Sequence, residues 1–186
     1  MLPLFLSGAL PSADGEVEPT QPRSSDKEPK AGTGQLTVSV PLYGEVAQIL
    51  ARFSKWINWR ERNQPGQLEN TDWPGIYLIA EGPATGAPTI EKRLLYVGET
   101  KGHAQSLRQR MNQFERASID GRGNHSGGRT FFDSCRERMT LDSCNVAVLA
   151  VPRDEPAFKA YIKFVERLVL LAHVQRFGQL PDCNKD

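Results

Sequence analysis

At 186 residues the chain is long enough for one ordinary domain and a tail, and its formal net charge of +1 gives no bulk signal for nucleic acid. Cys135, Cys144 and Cys183 are odd in number and lack CxxC spacing, which speaks against a disulfide scaffold or a structural zinc site and fits a reduced, cytoplasmic protein. No run of about 18 apolar residues is present, so no membrane span is expected. The start, MLPLFLSGAL, lacks the basic flank of a secretory signal.

Residues 1–36, rich in Pro, Ser, Gly, Glu and Lys, read as a disordered tail. Residues 37–70 read as a helical extension. Val46, Ile49, Leu50, Phe53, Trp56 and Ile57 recur at helical spacing, which predicts an amphipathic helix over 41–61 ended by Pro65-Gly66. Residues 71–186 read as the main domain. GIYLIA predicts a strand over 75–80 and LLYVG a second over 94–98, joined by the long Gly/Pro-rich segment EGPATGAPTIEK. A helix follows over 104–116, with Leu107, Met111 and Phe114 as its apolar face. Residues 117–143 are rich in Gly, Ser and Arg and carry one apolar piece, Phe131-Phe132. Residues 145–151 predict a third strand. The longest helix, 156–177, has core positions Phe158, Tyr161, Ile162, Val165, Leu168, Val169 and Ala172, and Gly178 is placed to close it. This order is α+β.

Charge is unevenly spread. Residues 101–138 hold eight basic side chains against four acidic ones, whereas residues 1–36 hold three against five. The basic excess therefore falls between the two tyrosine-bearing strands and the last helix, where Lys101, Arg108, Arg110, Arg122 and Arg129 are candidates for contact with a nucleic-acid backbone.

Hydrolysis of a phosphodiester needs a base for the attacking water, a cation at the pentavalent phosphorus, and a metal or acid at the leaving oxygen. Glu166 stands at the edge of an apolar helix stripe, where an acid is costly without a partner or a cation. It is either a boundary acid paired to a nearby Arg or a carboxylate ligand for Mg²⁺ or Mn²⁺. Helix phase turns Arg110 toward the sheet and leaves Arg108 outside, so Arg110 is the candidate to hold a scissile phosphate. Tyr77 and Tyr96, on two neighbouring strands, can bring their hydroxyls to one site, with Tyr96 the preferred base. His125, in the loop-like GNHSGG, is either an exposed loop residue or a proton shuttle. His103 suggests a helix-opening or surface residue, and His173 a packing residue.

Gly75-Ile76-Tyr77, then Tyr96-Val97-Gly98, then Leu107 and Arg110 in SLRQRMNQF, then Glu166 in an apolar helix, then Asn184 in PDCN, together resemble the GIY-YIG nuclease family over residues 73–184. The resemblance implies a small three-stranded antiparallel sheet with flanking helices. It implies metal-dependent cleavage of one DNA strand per active site, with Tyr77, Tyr96, Arg110, Glu166 and Asn184 as catalytic residues, to which His125 is added from its own place in the basic loop. The connection between the tyrosine strands is longer than is usual in the family. The position one turn after Arg110, often His or Tyr there, is Phe114, a place that His125 can partly fill, and Glu99 stands where some members carry a basic residue. The expected function is a Mg²⁺- or Mn²⁺-dependent DNA endonuclease, with a protein partner or a homodimer supplying specificity. The alternatives are a catalytically inactive nucleic-acid-binding module of the same fold, or an α+β domain with protein partners only.

Overall fold

The computed structural model describes residues 43–100, 102 and 104–185 of the chain. The expected tail over 1–36, the candidate contact Lys101 and His103 lie outside the described residues.

Four helices and a four-stranded antiparallel sheet make an α+β fold. The helices are α1 (Tyr43–Leu50), α2 (Leu107–Asp120), α3 (Ser126–Ser134) and α4 (Phe158–Phe177). The strands are β1 (Ile57–Asn58), β2 (Gly75–Glu81), β3 (Leu94–Glu99) and β4 (Cys144–Ala150), in the order β1-β4-β2-β3. The sheet thus has four strands rather than the three expected. The extra one comes from the segment read as the second half of a helix.

That segment leaves the helix because β4 captures it. Ser54 donates its N–H to the Val148 carbonyl at 2.8 Å and accepts the Val148 N–H on its Oγ at 3.0 Å. Ile57 and Asn58 then pair with Val146 and Asn145. Phe53 and Trp56 are buried as the periodicity demands, but from an irregular path. Packing overrides local preference here.

β2 lies between β4 and β3 and is covered on both faces, which is why GIYLIA reads as a nearly continuous apolar run. On one face Ile76, Leu78, Ala80, Val97, Ala147 and Leu149 meet α1 and α4. On the other, Tyr77, Ile79, Tyr96, Val146 and Val148 meet Leu107, Met111, Phe114 and Phe131 of α2 and α3. The long connection does not disturb the pairing of the tyrosine strands: Tyr77 stands opposite Gly98 and Ile79 opposite Tyr96. A bulge between Ile79 and Ala80 then shifts the register so that Ala80 faces Leu94.

α2 begins with a capping box, Ser106 accepting the Gln109 N–H while the Gln109 side chain accepts the Ser106 N–H. It ends on Gly121 in the left-handed region. α3 was not expected, because Gly127 and Gly128 each weaken a helix by about 1 kcal/mol relative to Ala. Its N-cap is the His125 ring, which accepts the Gly128 N–H. α4 stops at Gly178, also in the left-handed region, as its sequence indicates.

Candidate active site

The site is built around β3, an edge strand of the sheet. Residues opposite one another in an antiparallel pair share a face, so the pairing Tyr77–Gly98 and Ile79–Tyr96 sets both tyrosines on the α2/α3 side. Their ring centroids are 5.7 Å apart. Gly98 is what lets the rings lie over the strand: a Cβ there would stand 2.5 Å from the Tyr96 ring and 2.6 Å from Tyr77 Cζ. Gly127 does the same from α3, where a Cβ would come within 2.2 Å of the Tyr96 ring. Gly75 has a different reason, close approach to β4, since a Cβ would meet the Leu149 carbonyl oxygen at 2.1 Å.

His125 is fully buried, which corrects the reading of an exposed loop residue. The loop folds inward because the ring caps α3 and sits edge-on against Phe114 at 5.1 Å. Its Nδ1 accepts the Gly128 N–H, so in the neutral ring the proton sits on Nε2. That N–H donates to Tyr77 Oη at 2.7 Å. Tyr96 and Arg110 both stand close enough to Tyr77 to act on its phenol, and Arg110 acts on that of Tyr96 as well. His125 thus orients the Tyr77 hydroxyl, with the Tyr96 ring packed against both.

Burial pushes both phenols up. Tyr77 is raised well above the usual range, by burial first and by its neighbour Tyr96 second. Tyr96 is pushed up to about 12 by burial, against the pull of Arg110 in the opposite direction. Arg110 is 5 % exposed and lies against the sheet, whereas Arg108 is exposed, as helix phase predicts. Arg110 Nε donates to the Glu99 carbonyl at 3.2 Å and Nη1 to Gln113 Oε1 at 3.3 Å, which fixes the guanidinium beside the end of β3. Arg108 is held by Asp72 at 3.1 Å and Thr71 at 2.9 Å. Arg122 and Arg129 are exposed, and Arg129 donates to the Gly123 carbonyl at 2.6 Å.

Glu166 comes from α4, on the opposite side of the sheet, and is close enough to β3 to act on Tyr77, Tyr96 and Arg110 through its charge. Its side chain is 14 % exposed, and its one ion-pair contact among the described residues is Arg167 at 3.9 Å. Burial, and next the carboxylate of Glu99, hold its carboxyl above the ordinary range. A carboxylate in that state is under-compensated, and an added cation would relieve it. No group of three or more His, Cys, Asp or Glu able to hold a metal exists among the described residues. A hard cation such as Mg²⁺, bound through one or two carboxylates and otherwise by water, would not need such a group. Glu99 is itself paired with Lys163 at 2.9 Å.

Asn184 lies beside β3 and uses both ends of its amide on the strand. Its Oδ1 accepts the Val97 N–H, and its Nδ2 donates to the Val97 carbonyl, each at 2.9 Å. With Cys183 N–H on the Leu95 carbonyl at 2.8 Å, the C-terminal segment occupies the free edge of β3. Asn184 thus holds the strand between Tyr96 and Gly98. His173 is buried, donates from Nδ1 to the Gln179 carbonyl at 2.8 Å, and packs on Phe177.

Three contributors to this geometry escaped the sequence reading. Lys163 pairs with Glu99, Thr100 Oγ1 accepts the Gly75 N–H at 3.1 Å, and Gly127 admits the Tyr96 ring. The adjacent glycines after His125 were the available signal, since such pairs mark close backbone approach. Comparison of the chain with models of known protein families, with curated proteins and with solved structures finds no match.

Proposed function

We propose that the chain is a metal-dependent DNA endonuclease of the GIY-YIG type. The observation that carries the reading is the convergence at one strand edge of Tyr77, Tyr96, His125 and Arg110 from one side and Glu166 from the other. Hydrolysis of a phosphodiester uses each of these groups. Tyr96 takes the proton of the attacking water. Its phenolate is favoured by the charge of Arg110, and the neighbouring Tyr77 hydroxyl is held by His125. Arg110 offsets the charge that develops on the phosphoryl oxygens. Glu166 would hold Mg²⁺ or Mn²⁺, and the bound ion would supply positive charge for the leaving oxygen. Asn184 is a positioning residue that keeps β3 in place. Arg108, Arg122 and Arg129, and Lys101 by sequence, contact the DNA backbone. A protein partner or a second copy of the chain supplies specificity.

The test is incubation with supercoiled plasmid and Mg²⁺ or Mn²⁺. Nicking by the wild type, lost with EDTA and in Glu166→Gln, supports the reading. Salt-sensitive DNA binding without any nicking, over a range of metals, leaves a nucleic-acid-binding module and ends the proposal. Metal-dependent nicking by Glu166→Gln within a few-fold of wild type removes Glu166 from its role.

A further inference from the structure

Two thiols meet in the core behind β3. Cys135 follows α3 and Cys183 belongs to the C-terminal segment. Each is 1 % exposed, and their Sγ atoms stand 3.9 Å apart across 48 residues of sequence. Both are free thiols, as is the buried Cys144, whose S–H donates to the Thr140 carbonyl. The surroundings of the pair are polar on one side: Arg138 reaches Cys135 Sγ at 3.6 Å with the same Nη2 that binds Asp182 at 2.7 Å.

We propose that Cys135 and Cys183 are an oxidisable pair whose disulfide fastens the Asn184 segment to the end of α3. In the oxidation, the Cys135 thiolate attacks one oxygen of hydrogen peroxide. The O–O bond breaks, hydroxide leaves and takes up a proton, and Cys135 becomes a sulfenic acid. Cys183 then attacks that sulfur and loses its proton, the S–O bond breaks, and water departs. Two thiols and one peroxide give one disulfide and two waters. The same balance holds with the two thiols exchanged, and the product is the same disulfide.

The consequence falls on the candidate site without depending on what that site does. The segment is held by the Cys183–Leu95 and Asn184–Val97 hydrogen bonds and by the exposed Arg138–Asp182 ion pair. All of these can open together. A covalent bond next to Asn184 removes that freedom, so the Val97 amide, which donates to Asn184 Oδ1, becomes more protected.

The experiment treats the full chain with hydrogen peroxide and compares it with chain kept in dithiothreitol. The expected result is a mass loss of about 2 Da for the bond formed and a fall in thiols titrated after denaturation from the three of the sequence to one. Peptide mapping should join Cys135 to Cys183. Tm should rise by about 5–10 °C, as expected for closing a loop of this length in a domain of this size. Hydrogen exchange at Val97 should slow, and dithiothreitol should reverse every change. Cys144→Ser should behave as wild type and Cys183→Ser should lose the effect. Should Cys183→Ser fold poorly, the peptide map of the wild type decides alone. Three thiols persisting after treatment, a bond that includes Cys144, or a bond between chains overturns the proposal.

Discussion

Gly98→Ala is the sharpest perturbation of the candidate site, because its effect can be worked from distances. The added methyl would stand 2.5 Å from Tyr96 Cε1, 2.6 Å from Tyr77 Cζ and 2.7 Å from Tyr77 Cε1, where ordinary contact begins at 3.4 Å. Both rings would have to retreat by about 0.7–0.9 Å. Neither has room. Tyr96 is backed by the Gly127 backbone, and Tyr77 by the Phe114 and His125 rings. Moving the strand instead would strain its pairing with β2 on one side and with Asn184 on the other. Over-packing of this kind costs about 1–3 kcal/mol. A displacement near 1 Å of groups that align a reaction costs about 10²-fold in rate. Urea unfolding reads the first quantity and plasmid nicking the second. Gly44→Ala is the control. Gly44 is exposed in α1 with nothing within 4 Å of its added Cβ, so it should gain up to about 1 kcal/mol and leave nicking unchanged. If Gly98→Ala stays within about 0.5 kcal/mol of wild type, the ring-over-glycine account of the motif is wrong. If it is destabilised but nicks at the wild-type rate, the crowding is relieved away from the hydroxyls.

Other outcomes follow from the same geometry. With Tyr96 pushed up to about 12, a mechanism that uses its phenolate should show a nicking rate that climbs about tenfold per pH unit between pH 7 and 9; a flat profile would take the base role from Tyr96. Glu166 has a raised pKa in the folded state, so its ionisation weakens the metal-free fold as pH rises through that shift, and the penalty persists above it. Glu166→Gln should therefore raise Tm at pH 7 in EDTA, with the gain vanishing below the ordinary carboxylate range; a lowered Tm at pH 7 would show that the charge is compensated. Arg110→Ala should lose about 10²–10³ in nicking rate, whereas Arg108→Ala should mainly weaken DNA binding and flatten its salt dependence. The reverse ranking, read from single-turnover rates and salt titrations, would exchange their roles.

Much of this fold was legible because the relevant signals are local. The apolar run of β2, the stripe of α2 and the Gly178 stop of α4 each reflect contacts within a few residues, and the structure keeps them. Arg110 could be told from Arg108 by helix phase alone. The errors have a common source in long-range partners. Phe53, Trp56 and Ile57 fit a helix, but β4 supplies the backbone partners that make an edge strand instead. α3 was hidden because its glycines argue against helix in isolation. They are tolerated because Tyr96 and the Phe114 carbonyl occupy the space a side chain would need. The burial of His125 could not be read for the same reason, since its hydrogen-bond partner Tyr77 lies 48 residues away.

The position of the site on an edge strand explains how groups from two layers act together. In the middle of the sheet, side chains from α2 and from α4 would be separated by the covered faces of β2. At β3, the last strand of the sheet, Arg110 reaches the Glu99 carbonyl from one face while Glu166 approaches from the other. An unpaired edge is a liability, prone to pairing with foreign chains. The Cys183–Asn184 segment covers the part opposite Leu95 and Val97. Asn184→Ala should therefore uncover Val97 while Tyr77, Tyr96 and Arg110 keep all their own partners. The expected result is faster hydrogen exchange at Val97 and a stability loss of about 1–2 kcal/mol, as for a lost pair of hydrogen bonds, with the pH slope of nicking retained. A changed pH slope with unaltered exchange at Val97 would instead place the Asn184 amide among the reacting groups.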